Sequence, residues 1–253
     1  RDLHSFPTRR SSDLEPVVPD AAGLNHNDKV MLVQMKGASI NTNSSSSSFG
    51  DTTSLNNAGN YEIARVCHVI DDSVFMVFMF LNQYTVSGKV QLVKIPQYYN
   101  ADVIDTLKPA PWNNTTGTGG VLAIEAEEDL ILNAPIYGDS SGFRGGEFRV
   151  SSGDCGNFFP PAATDYAYNA NTLSPQDGAF KGEGIADVSA AQSGGRGSPA
   201  NGGGGGNNHN NGGGGGANLS AGGDGGGNSS SGGCRTNLLG KSGKALSSYS
   251  GRF

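Results

Sequence analysis

Between residues 29 and 132 the apolar positions fall in short runs separated by turn residues, the pattern of strands rather than helices. Residues 29–35 (KVMLVQM) are apolar almost throughout and predict a strand buried on both faces. Residues 61–70 alternate, with Ala64, Val66, His68 and Ile70 on one face and Ile63, Arg65, Cys67 and Val69 on the other. Residues 73–81 (SVFMVFMFL) are the most hydrophobic segment, and Asp71-Asp72 before them predicts a hairpin turn. Residues 89–95 (KVQLVKI) follow Ser87-Gly88. Residues 121–126 and 130–132 predict a further pair around an acidic Glu127-Glu128-Asp129 turn. Residues 143–150 are a weaker strand candidate, because Gly145-Gly146 suggests a bulge or an edge.

No segment sustains a 3.6-residue apolar period with caps, so almost no helix is expected. The expected fold is mainly β. A small β-barrel or sandwich module occupies residues 15–110, with its strands over about 24–110. A region of strands and loops covers 111–190, and a glycine-rich domain of β or polyglycine-II-like character covers 191–253. The loop 41–60, with five consecutive serines, is long enough to be functional or disordered.

Glycine changes the picture most. Of 40 glycines, 20 lie in residues 194–233, leaving an ordinary density elsewhere. Blocks begin at Gly202, Gly212, Gly222 and Gly232, a ten-residue period with polar spacers such as NNHNN. A flexible linker has no reason to keep such a period. Extended glycine segments do, since without side chains they can pack backbone to backbone while Asn and Ser make the turns. The opposing term is the large backbone entropy of ordering glycine. Ordered packing is the expectation, with linker disorder as the alternative.

Charge then narrows the function classes. A net charge of −6 and a pI near 5.1 repel phosphate and argue against nucleic acid. No run approaches the roughly 20 apolar residues of a helical membrane span. Gly138-Asp139-Ser140-Ser141-Gly142 matches a G-x-S-x-G nucleophile elbow, but Phe143-Arg144-Gly145-Gly146 cannot start the helix that this motif needs, so a strand-ending turn is expected. The only histidine downstream is His209, inside the glycine repeat. Gly240-Lys241-Ser242 lacks the upstream glycine of a phosphate loop, since Arg235 stands there. The dinucleotide-like spacing of Gly212, Gly214 and Ala217 has no flanking strand or helix. Asp154, Asp165 and Asp177 could at most take a divalent ion weakly. Trp112 is read as a plug at one end of the β module rather than a sugar-stacking platform, and His68 as a satisfied core histidine. Cys155 and Cys234 could staple the core-poor half, with Cys67 a buried free thiol, although other pairings stay open. No catalytic, cofactor-binding or metal-ligating residue is assigned, and no cofactor.

Two resemblances complete the reading. Residues 1–14 (RDLHSFPTRRSSDL) resemble a high-throughput sequencing adapter translated in one frame, and are left out of the fold reasoning. Without their three arginines and two aspartates the net charge moves from −6 to −7. The segments VMLVQMKGASIN (30–41), NNAGNYEIARV (56–66), VSGKVQLVKIP (86–96), PWNNTTGTGGVLAIE (111–125), GFRGG (142–146), KGEGIAD (181–187) and ANGGGGGNNHNNGGGGGAN (200–218) resemble the N-terminal region of very large surface proteins of gliding bacteria. Such proteins commonly carry a gliding-motility-associated or type IX secretion sorting domain. The resemblance implies export, an extracellular or outer-membrane location, and an adhesin-like, non-catalytic role. It also implies that the glycine-rich domain continues past Phe253, making this chain a fragment. The partners it suggests are surface polysaccharide or a second copy. The alternative is an accessory, carbohydrate-binding module of a secreted glycan-degrading enzyme.

Overall fold

A computed structural model describes residues 23–149, 166–172, 179–207, 211–227 and 238–246, and all structural statements concern these. The fold is mainly β with almost no helix; among the described residues the helical pieces are three-residue 3-10 turns at Val86–Gly88, Ala170–Thr172 and Ala190–Gln192. Two compact units form, and neither is contiguous in sequence. Residues up to 35 join 60–142 in the first, while 36–59 join 143–253 in the second. The segment 36–59 of the 15–110 stretch thus packs with the glycine-rich part.

The first unit is built on a four-stranded antiparallel sheet. Strand β1 (Lys29–Gln34) pairs with β4 (Tyr61–Ile70) on one side and β6 (Val90–Lys94) on the other, and β5 (Ser73–Met76) extends the sheet beyond β4. Asp71, at φ 49°, supplies the left-handed turn of the β4–β5 hairpin, a conformation its short polar side chain tolerates. Val30, Val66 and Val74 form the buried centre, with Leu24, Ala64, Val69, Met76 and Leu92 packed around them.

Four expectations need correction here. Strand β1 is not buried on both faces, since Val30, Leu32 and Gln34 are buried and the residues between them half-buried. His68 is not a core histidine. A bulge between Val66 and His68 breaks the alternation of β4, and His68 is exposed with its ring stacked on Phe75 at 4.4 Å. The run 73–81 is a strand only to Met76. Beyond it the Glu62 carboxylate accepts the Leu81 and Asn82 N–H groups at 2.7 Å each, and the Tyr84 hydroxyl at 3.2 Å, which turns the chain out of the sheet. Residues 121–126 and 130–132 do not pair with each other. Strands β9 (Glu125–Ala126) and β10 (Leu130–Leu132) run parallel to β7 (Gln97–Tyr98) and β8 (Ala101–Val103), because the Glu127 and Glu128 N–H groups donate back to the Tyr98 and Tyr99 carbonyls.

The second unit has a small apolar core of Ala38, Leu55, Ala58, Ile185, Ala186, Ala200 and Leu246. Among its described residues the strand pair is β2 (Ser39–Ile40) with β3 (Thr52–Ser54). The serine-rich loop between them is ordered by its own side chains: Asn41 donates to the Ser48 hydroxyl, while the Asn41 and Ser46 side chains accept the Asn43 and Ser48 N–H groups. Residues 143–149 form no strand. Their backbone runs against residues 180–182 so closely that a Cβ on Gly146 would lie 2.0 Å from the Phe180 carbonyl oxygen.

Truncating Val66 to Ala, at 0% exposure between Val30 and Val74, is expected to lower unfolding stability by about 2 kcal/mol. Urea denaturation followed by far-UV circular dichroism reads this directly. A loss below about 0.5 kcal/mol would contradict the packing described.

Candidate functional site

Much of the second unit is built from glycine backbone. Residues 202–206 are all buried and are the central segment of a bundle. Around it lie 179–183, 195–197, 212–217 and 238–246, and 222–227 packs outside these. The hydrogen bonds recur every third residue rather than every second. Gly212 and Gly215 donate to Gly226 and Gly223; Gly240 and Gly243 donate to Gly212 and Gly215; Gly222 and Gly225 donate to Gly243 and Gly240. The inner contacts keep the same step, with Gly204 and Asn207 donating to Lys241 and Leu238, and Gly182 and Ala179 donating to Gly203 and Gly206. A three-residue step is the turn of a polyproline-II helix, about 9 Å of rise, whereas a β ladder would repeat every two residues. The glycine blocks at 202–206, 212–216 and 222–227 therefore take the ordered arrangement, while the block beginning at Gly232 lies outside the described residues.

Why glycine is required follows from geometry. None of the glycines described between 202 and 243 has φ in the left-handed region, so their dihedral freedom is not what is used. What is used is the missing Cβ. A methyl on Gly203 would lie 2.0 Å from the Gly214 oxygen, on Gly204 2.1 Å from that of Arg196, on Gly214 2.1 Å from that of Lys241, and on Gly225 2.1 Å from that of Gly212. These are overlaps with backbone, which cannot swing aside. On the outside the rule lapses: a Cβ on Gly223 or Gly226 meets nothing within 4 Å. The exterior at Gly213, Gly216, Gly223 and Gly226 is exposed backbone without side chains. The Asp224 carboxylate beside it is held by the Lys241 ammonium at 2.8 Å and accepts the Ser242 N–H at 2.8 Å. The Lys241 bond holds that carboxyl below its usual range.

Lysines tie the bundle to the rest of this unit. Lys181, 8% exposed, donates all three of its protons to carbonyls, those of Tyr166 (2.6 Å), Gly195 (2.8 Å) and Gly197 (2.6 Å), and lies 4.7 Å from the Phe49 ring centroid. Burial pushes this ammonium well below the usual lysine range, and the nearby Lys244 charge adds to the effect. Lys244 donates to the Phe49 and Ser198 carbonyls and pairs with Asp51 at 2.9 Å. Lys36, with its side chain 2% exposed, pairs with Asp187 at 2.7 Å above the Phe143 ring. Asn201 closes one end of a glycine run, its side-chain oxygen accepting the Ile185 N–H and its amide donating to the Ala217 carbonyl.

The residues singled out in the sequence fall as follows. Ser140 sits in an exposed turn at φ 59°, and residues 143–149 directly after it form no helix. Ser141 is buried, its hydroxyl directed to the Asp139 carbonyl and its own carbonyl accepting the Trp112 N–H. Trp112 is 4% exposed, which removes it as a platform for sugar. Cys67 is a half-buried free thiol. Cys155, Cys234, His209, Asp154, Asp165 and Asp177 lie outside the described residues. Among the described residues no three His, Cys, Asp or Glu side chains gather as a metal ion would require. Sequence reading missed the lysine staples altogether. Lys181 and Lys244 lie in runs with nothing to distinguish them from surface lysines, and only the carbonyls gathered around Lys181 in the folded chain reveal it as buried.

No family model matches this chain, and no curated protein or solved structure shows significant similarity to it.

Alanine at Gly204 or Gly214 is expected to destabilise the second unit by about 3 kcal/mol or more, whereas Gly223→Ala is expected to be neutral or stabilising by about 0.5 kcal/mol. Thermal unfolding of the three variants side by side checks the lattice, and equal effects would refute it. Lys181→Met takes the ammonium from the buried Gly195 and Gly197 carbonyls, while that of Tyr166 keeps the Gly197 N–H, and is expected to cost about 3 kcal/mol. Because the folded lysine titrates below the ordinary 10.5, the unfolded chain binds the extra proton between those two pH values. Stability attributable to this residue therefore rises with pH across that interval, and the slope should vanish in Lys181→Met.

Proposed function

We propose that this chain is a non-catalytic contact module of an exported, adhesin-like cell-surface protein. The observation that carries the reading is the glycine bundle, whose exterior at Gly213, Gly216, Gly223 and Gly226 presents backbone where side chains would otherwise stand. Such a surface can meet another hydrogen-bonding surface broadly, and it offers a protease few side chains to grip. The sequence resemblance to large surface proteins of gliding bacteria supports the same reading and adds the type IX export route and the extracellular or outer-membrane location. Surface polysaccharide and a second copy of the chain are the partners that suit a hydrogen-bonding face whose Asp224 carboxylate is already neutralised by Lys241.

Two measurements test this. Antibody raised against the chain is expected to label intact source cells, and labelling only after lysis would overturn the location. The purified chain is expected either to be retained on a glycan array or to self-associate with rising concentration in sedimentation velocity. A chain that stays monomeric and retains no glycan would overturn the contact role.

A further inference from the structure

In the first unit, β7 and β8 run beside β9 and β10 as a two-stranded parallel ribbon, continued by a bridge from Leu107 to Ile136. Parallel pairs ordinarily occur buried on both faces within larger sheets. This one is not. Leu130, Ile131 and Leu132 are all exposed, as are Tyr98, Tyr99 and Ile104, although a strand alternates its faces and one of them would ordinarily be covered. Among the described residues β10 has no strand neighbour except β8, and β8 none except β10, so both outer edges are open.

The stretch that contains the ribbon is also strongly acidic. Residues 97–141 hold seven acidic side chains (Asp102, Asp105, Glu125, Glu127, Glu128, Asp129 and Asp139) against Lys108 alone, a net of −6 that equals the total for all 253 residues. Lys29 offsets Glu125 at 2.6 Å. Glu127, Glu128 and Asp129 are exposed directly before the apolar Leu130–Leu132 edge.

We infer that this edge is a docking site for an extended, cationic and apolar polypeptide segment that adds as a strand beside β10. The partner's backbone would take up the open edge, its apolar side chains would cover Leu130, Ile131 or Leu132, and its lysines or arginines would face the acidic turn. Charge on an edge strand also serves to keep copies of a protein apart. That role explains the carboxylates but not three consecutive exposed aliphatic residues beside them. A second copy of the same ribbon is a poor occupant for the same reason, since it would bring −6 against −6.

The test uses the full chain and two octapeptide probes of equal charge. One alternates Lys and Val; the other replaces every second Val by Pro and so cannot complete a strand ladder. The alternating probe is expected to bind at least about tenfold more tightly in fluorescence anisotropy, and to weaken as salt rises. Hydrogen exchange should slow in residues 130–132 on binding. Reversing the exposed turn with Glu127→Lys, Glu128→Lys and Asp129→Lys together should lower affinity at least about tenfold while leaving the circular dichroism spectrum unchanged. Equal binding of the two probes, binding without protection at residues 130–132, or no binding at all would each overturn the inference. None of these outcomes bears on the glycine surface, so this site and the contact role stand or fall separately.

Discussion

The second unit depends on one constraint, the approach of peptide backbone to peptide backbone at distances that leave no room for a Cβ. Gly203, Gly204, Gly214, Gly225 and Gly240 each have a carbonyl oxygen at 2.0 to 2.3 Å from where that carbon would stand. In an ordinary domain side chains fill the space between elements and their burial drives folding. Here the elements themselves close that space, and the stabilisation comes from dense backbone hydrogen bonds in a body with few apolar side chains. Each such bond contributes modestly, and each glycine loses more conformational entropy than any other residue. An arrangement of this kind holds only when many segments are bonded at once, which explains why residues 202–206 have neighbours on several sides.

The surrounding residues supply what the glycine lattice lacks. A compact apolar cluster, from Ala38 through Leu246, gives it one conventional anchor. The ammonium of Lys181 gathers carbonyls from two separate chain segments, at Tyr166 and at Gly195 and Gly197, without any carboxylate among its bonded partners. Desolvating a charge in this way is unfavourable unless every proton finds an acceptor, and all three do. Removing side chains from the segments thus concentrates the burden of specificity on a few lysines and asparagines at their ends.

Much of this was legible in the sequence. The β4–β5 hairpin follows from alternation plus Asp71-Asp72, and the ten-residue glycine period signals order where composition alone suggests a linker. The parallel ribbon was not legible, because 121–126 and 130–132 are near in sequence and look like a hairpin; their true partners, Gln97–Tyr98 and Ala101–Val103, lie about thirty residues away. His68 was misplaced because a single bulge reverses the alternation on which face assignment rests. Lys181 was invisible for a different reason: burial of a charged side chain is decided by carbonyls from distant segments, and carbonyls leave no mark in a sequence.

The interleaving of the two units bears on how the chain acquires its structure. Residues 36–59 emerge before most of the first unit yet belong to a body whose other members lie beyond residue 143. The first unit can close once residue 142 is available, looping 36–59 out as an unfinished insert. The second must wait for segments separated by more than a hundred residues, and such non-local closure is slow. Lys36 meeting Asp187, and Lys244 meeting Phe49 and Asp51, are among the contacts that come last. In a chain synthesised in order, the sheet of the first unit thus has all its strands before the glycine segments of the second have their partners.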